Sequence, residues 1–227
     1  MYIGFVGTGG AGKSTIARAV RDKLIARGYS VEYYAPFFSP GRSVVYKAWW
    51  AIYLWRWSDA RLLYFFIWQQ SPRPLSRNVW WRIYLAHIYS YYLSQVRAGR
   101  CDVLIYDEDL AKWCGKAVHQ EALQAETVAA IYQDKIIANL DDVLLVTVDT
   151  PVSDSVERFV VREARVGIKK DRATVKAEWD VLKGAAAALA DEVATQTDAE
   201  SIVVDGTAPP EENAQLVVEL VEAKRTP

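Results

Sequence analysis

Residues 7–14 read GTGGAGKS, completing the pattern G-x-x-x-x-G-K-[ST], and the residues on either side supply the context that the pattern needs. A short apolar run, Tyr2 to Val6, leads into Gly7, and a segment from Thr15 to Arg27 carries Ile16, Val20, Leu24 and Ile25 on one helical face. Strand, glycine-rich loop and helix in that order make an anion site. Gly9, Gly10 and Gly12 let the backbone curl so that successive N–H groups point inward at phosphate oxygens, beside the positive end of the helix. The segment Gly7, Thr8, Gly9, Gly10, Ala11, Gly12, Lys13, Ser14 and Thr15 is therefore the expected cradle for a nucleoside triphosphate. Lys13 is placed to reach the β- and γ-phosphates, and the Ser14 hydroxyl to ligate Mg²⁺.

Outward from this loop the chain alternates apolar strands with helix-like segments. Strands are expected at 2–6, 30–34, 102–107, 142–148 and 201–205. Gly28 reads as the C-terminal cap of the first helix and Gly99 as that of a helix over 77–98. Aromatic-rich helices are expected at 43–57 and 60–70, broken by Ser71-Pro72-Arg73-Pro74. One amphipathic helix is expected over 117–139 and another opened by Pro151 and running through Arg165. An alanine-rich one should span 173–197, with a last helix starting at Pro209 or Pro210. Five apolar strands with intervening helices predict an α/β fold, a five-stranded parallel sheet sandwiched by helices, with ligands at the carboxyl ends of the strands.

At 227 residues the chain reads as a single domain, residues 1–227, and an apolar fraction of 52% suffices for a real core. Cys101 and Cys114 have no metal or redox spacing, and His87 and His119 stand alone, which fits a reduced, cytoplasmic protein. A first strand beginning at the second residue leaves no place for a signal peptide. No apolar run is long enough to span a bilayer.

The net charge of −1 conceals an island. Between Arg42 and Arg100 nine basic residues face one acid, Asp59, so the rest of the chain carries nine more acids than bases. The same stretch holds seven of the nine tryptophans. It reads as a helical insertion over 42–100 on the acceptor side. Its aromatics could pack as core while arginines reach outward. They could instead line an acceptor pocket in which arginines bind an anionic group. A third reading is a helix lying on an anionic membrane, with Trp49, Trp50, Tyr53 and Trp57 on one face, which would suit a lipid-linked acceptor. No recognised motif accompanies the charge, so nucleic acid is not an expected partner. A homodimer stays open.

Two further stretches carry candidate chemistry. Residues 101–107, CDVLIYD, form a strand ending in an acid, and Asp107 is suited to hold Mg²⁺ opposite Ser14. Glu108 and Asp109 follow, and either is a candidate general base. After the fourth strand, Arg158, Arg162 and Arg165 share one helical face by their spacings of four and three, and Gly167, Lys169, Lys170, Asp171 and Arg172 follow. Residues 158–172 read as a lid whose arginines neutralise charge on a transferred phosphoryl group and expel water.

These features together resemble the thymidylate-kinase-like branch of the nucleoside monophosphate kinases. The resemblance rests on GTGGAGKST, on VLIYDED, on DTPVSDSVERFVVREAR and on IVVDGTAPPEENAQLVVELV. It implies a P-loop kinase with a five-stranded parallel sheet, a lid, and transfer of the γ-phosphoryl of ATP with Mg²⁺ to a small-molecule acceptor, with the loop from Asp205 to Ala208 beside the adenine. The chain departs from that family at Val6 and Gly9, where acids are usual. It also departs at Asp107-Glu108 and Tyr34-Ala35-Pro36, where the family carries arginines that grip an acceptor phosphate. ATP binding is thus implied and dTMP as acceptor is not; Arg42 or an arginine of the insertion could replace the lost grip. An ATPase or nucleotide-dependent switch acting at a membrane or on a protein partner is the alternative. Glu108 directly after Asp107 favours it, and the arginine-rich segment favours the kinase.

Overall fold

A computed structural model describes residues 1–34, 101–107, 109–119, 124–135 and 142–225. The insertion over 42–100, its three expected helices, Gly99 and Glu108 lie outside these residues.

Five strands form one sheet: β1 (Tyr2–Val6), β2 (Val31–Tyr34), β3 (Val103–Tyr106), β4 (Val143–Asp149) and β5 (Glu200–Asp205). Their spatial order is β2-β3-β1-β4-β5, and every pairing is parallel. All five expected strands are present to within a residue or two at each end. β1, β3 and β4 read as continuous apolar runs because both faces of the sheet are covered.

One face is closed by α1 (Lys13–Ala26) and α6 (Pro210–Arg225). Ile16, Val20 and Leu24 recur every fourth residue along α1 and pack with Val217, Val218 and Val221 over Ile3, Phe5, Ile105, Leu144 and Val146. α1 stops at Gly28, which sits at φ 89°; its N–H donates to the Ile25 carbonyl at 2.9 Å, and the Tyr29 N–H reaches Leu24 at 3.1 Å. The other face is covered by α2 (Leu110–His119) and α5 (Arg172–Gln196), with α3 (Ala125–Lys135) packed on α5. At Gly115 the two covering helices approach so closely that a Cβ would meet the backbone of Ala185 and Ala186. α4 (Val152–Arg165) packs on α5 through Val156, Phe159, Val175, Trp179 and Leu182. Pro151 precedes its first residue, and Pro210 opens α6. Asp171 caps α5, accepting from the Thr174 N–H at 2.8 Å, which anchors the end of the basic stretch that follows α4.

One helix departs from expectation. Instead of a single helix over 117–139, the described residues hold α2 and α3, with Gln124 outside both and accepting from Val128 at 3.3 Å. The early start is due to Asp109. Its carboxylate is fully buried and accepts the Ala111 N–H at 2.8 Å, so the helix begins at Leu110, seven residues ahead of the expected one. The same carboxylate accepts the Tyr2 hydroxyl at 2.7 Å, and the Asp109 N–H donates to the Phe5 carbonyl at 2.9 Å. The turn after β3 is thereby fastened to β1. Gly4 makes room for it, since a Cβ there would meet both Asp109 and the Tyr2 ring.

Removing the Tyr2 hydroxyl strips one donor from a buried carboxylate, so Tyr2→Phe should cost about 1–3 kcal/mol. Gly4→Ala should cost at least as much by forcing the Asp109 side chain aside. Urea unfolding midpoints of the two variants check both figures, and an unchanged midpoint for Tyr2→Phe would show that this bond does not hold the turn.

Candidate active site

The glycine loop leaves β1 at its carboxyl end and delivers the chain into α1. Gly10 and Gly12 lie at φ 83° and 101°, in the left-handed region open to glycine, which lets the loop close on itself before Lys13 begins the helix. The Lys13 side chain folds back across the loop. Its Nζ donates to the carbonyls of Gly7 at 2.9 Å and Thr8 at 2.7 Å, and the whole side chain is buried. Burial lowers the Lys13 pKa to about 8; the nearby Asp107 works against that shift, and Arg162 adds to it. Ser14 is half-buried at the first turn of α1, and Thr15 is exposed.

Asp107 stands at the end of β3, buried on the face that α1 covers. Its Oδ2 accepts the Tyr33 hydroxyl at 3.0 Å, while Oδ1 is buried with no hydrogen-bond partner among the described residues. An orphaned carboxylate oxygen, with the Ser14 hydroxyl on the neighbouring helix start, is an all-oxygen donor set of the kind that suits Mg²⁺. That ion keeps waters and substrate phosphates as its other ligands, so one or two protein oxygens suffice. Among the described residues there is no cluster of three or more acidic, histidine or cysteine side chains that could hold a metal by itself. Asp109, the second candidate base, is occupied in fastening the turn and sits away from solvent. Glu108, between the two, lies outside the described residues.

The helix carrying the arginines lies directly against the loop. A Cβ at Gly10 would meet the Ser155 carbonyl and the Phe159 nitrogen of α4, and one at Gly9 would meet the rings of Trp179 and Phe159. Those rings pack edge to face at 4.7 Å between centroids, and the Arg162 guanidinium stands 5.1 Å over the Phe159 ring. Arg162 also pairs with Glu163 at 3.4 Å, and it is close enough to Lys13 for its charge to be felt there. Arg158 Nη1 donates to the Gly206 carbonyl at 3.3 Å, in the loop between β5 and α6. Arg165, at the end of α4, is exposed and makes no ion pair or hydrogen bond among the described residues. Of the three arginines, two are thus brought to the glycine loop and its neighbour, and the third is not.

Three strand-end loops are joined here. Thr150 donates its buried hydroxyl to the Ala11 carbonyl at 2.8 Å, and the Gly206 N–H donates to Asp149 at 2.7 Å. A Cβ at Gly206 would meet both the Thr150 hydroxyl and the Ala11 carbonyl. Asp205 accepts the N–H and hydroxyl of Thr207, which hold its carboxyl below the usual range, and its carbonyl takes the Asn213 amide at 2.6 Å. Sequence reasoning found the loop, Asp107 and the arginines, but not Tyr33, Thr150, Phe159 or Trp179. Trp179 carries a signal in retrospect, as the single aromatic of the alanine-rich α5.

No family model matches the chain, and no curated protein does. Among solved structures, deoxyadenosine kinase from M. mycoides with bound dCTP superposes over 98% of this chain and 100% of its own, with a TM-score of 0.50 and 16% identity. The same enzyme with bound dATP gives the same coverage, score and identity. At that identity the likeness establishes a shared fold alone, in agreement with the five-stranded parallel sheet and the glycine loop that leaves its central strand.

The Lys13 shift has a sign that binding can read. Polyphosphate binds the charged ammonium, which predominates below pH 8 and is lost as pH rises through that value. Affinity for a non-hydrolysable ATP analogue should therefore be flat below pH 8 and fall by about tenfold per unit above it, with proton uptake on binding. Titration calorimetry in buffers of different ionisation heat measures both, and a pH-independent affinity up to pH 10 would remove Lys13 from the phosphate site.

Proposed function

We propose that this chain is an ATP- and Mg²⁺-dependent phosphotransferase acting on a nucleoside, a nucleotide or another small anionic acceptor. The observation that carries this reading is the meeting of Lys13 and Arg162 at one glycine loop: two cations from separate elements, α1 and α4, the second standing over the Phe159 ring that packs on Gly9 and near enough for its charge to be felt at Lys13. A second positive charge beside the buried Lys13 ammonium comes at a cost, although Arg162 itself is exposed, and an anion between them offsets it. A triphosphate held by the loop supplies that anion, and charge developing on the transferred phosphoryl group is where such cations act most strongly. Mg²⁺, held by Ser14 and Asp107, would neutralise phosphate oxygens when bound.

The chain's own residues would divide the work as follows. The loop from Gly7 to Thr15 orients the β-phosphate, Lys13 clamps the γ-phosphate, and Arg158 and Arg162 bring positive charge from α4. On this reading residues 158–172 remain the candidate lid, with Arg165 at its outer end. The loop from Asp205 to Ala208 borders the base, next to Arg158. Glu108 is the candidate base that takes the proton of an acceptor hydroxyl. The M. mycoides neighbours are deoxyadenosine kinase structures, one with dCTP and one with dATP bound, which supports a nucleoside or nucleotide among the acceptors to be tried first. The basic and aromatic stretch 42–100 would supply the acceptor side.

Lys13→Ala should lower phosphotransfer by a factor on the order of 10² or more while the protein stays folded, since the ammonium acts mainly on the transition state and its burial is not a source of stability. Turnover of [γ-³²P]ATP with a panel of deoxynucleosides, nucleoside monophosphates and lipid phosphates measures the effect and names the acceptor. Undiminished transfer by folded Lys13→Ala would overturn the assignment. Fast hydrolysis without any acceptor, abolished by Glu108→Gln, would favour an ATPase instead.

A further inference from the structure

Asp107 presents two unlike oxygens, and the difference comes from Tyr33. A carboxylate at a strand end can rotate and offer a cation either oxygen or both. Here Oδ2 is taken by the Tyr33 hydroxyl at 3.0 Å, and only Oδ1 is left without a partner among the described residues, although it is buried. Leaving a buried carboxylate oxygen unpaired is costly, and the arrangement makes sense as a site prepared for a ligand that brings positive charge.

Tyr33 is itself held in place. In the parallel register it lies beside Ile105, so its side chain shares the sheet face of Ile105 and of Asp107 two residues later. Its ring packs partly buried against the core beneath α1. Arg21 stands 5.5 Å over that ring.

We infer that Tyr33 is a positioning residue for the divalent cation, making Asp107 a ligand through Oδ1 alone. This rests on the reading above that the site takes a metal–nucleotide complex. Outer partners of this kind hold a ligating carboxylate in one pose, and their loss typically costs 10- to 100-fold in metal affinity.

The test uses the full chain, Mn²⁺ as the probe and a non-hydrolysable ATP analogue, with bound metal counted by electron paramagnetic resonance. Tyr33→Phe should keep the wild-type affinity for the analogue in EDTA and lose about tenfold or more in Mn²⁺ affinity. A purely structural tyrosine would instead shift the unfolding midpoint and leave Mn²⁺ affinity alone. Wild-type Mn²⁺ affinity in Tyr33→Phe, alongside its loss in Asp107→Asn, would overturn the inference and leave the proposed function standing. Failure of the wild type to bind the analogue would overturn the function itself and this inference with it. Should Tyr33→Phe not fold, Tyr33→Met, which also lacks the hydroxyl, carries the same question: loss of Mn²⁺ affinity is expected, and no loss would overturn the inference.

Discussion

The architecture around the glycine loop depends on one buried ammonium. Lys13 leaves the first turn of α1 and turns back onto the carbonyls of Gly7 and Thr8, so a charge sits where water is excluded. Two carbonyl acceptors and the Asp107 carboxylate offset part of the desolvation, and Arg162 opposes them. The residual cost is visible as a pKa lowered to about 8. Such a site is poorly satisfied by the protein alone and well satisfied by an anion, which is a physical reason to expect a polyphosphate there.

Holding that ammonium requires a loop that cannot drift, and the surroundings provide this by close approach of backbones. Ala11 is tied to Thr150, Gly206 fits where no side chain could, and Gly9 and Gly10 accept α4 and the Phe159–Trp179 pair at contact distance. Glycine at position 9 thus answers a packing demand. An acidic side chain there, as in the family the sequence resembles, would collide with Trp179. The same contacts place Arg158 and Arg162 beside the loop in the structure described here. The segment expected as a lid is therefore anchored at its start by α4 against the loop and at its end by Asp171 capping α5.

The sheet was legible because its strands are buried on both faces and read as uninterrupted apolar runs between turn residues, as in VLIY and VLLVTVD. The glycine loop was legible because its chemistry is local, with every necessary residue within eight positions. The start of α2 was not, because Asp109 sits in a run of three acids and nothing in Asp-Glu-Asp says which one is buried as a cap. That choice depends on Tyr2, 107 residues away, and on the empty face of Gly4. Tyr33 was hidden for the same reason: its bond to Asp107 spans 74 residues and exists only because β2 and β3 pair in one particular register. Sequence spacing recovers contacts made within an element or one loop, whereas side-chain partnerships across strands need the topology first.

The distribution of charge gives the two parts of the chain different tasks. Outside residues 42–100 acids outnumber bases by nine, yet the glycine loop is met by Lys13, Arg158 and Arg162, with Asp107 the carboxylate at its edge. An acidic body repels a triphosphate at long range, so binding must come from these few cations acting at short range, with the buried Lys13 in the low-dielectric position where its charge counts most. An acceptor carrying its own negative charge would meet the same repulsion, without a loop of backbone N–H groups to receive it. The excess of eight basic residues over 42–100 is the one reservoir of charge in the sequence able to offset that, and it begins eight residues after Tyr34, the end of β2. On the proposed function, specificity for the acceptor is then written in the insertion, while the described sheet and its loops set up the nucleotide and the reaction.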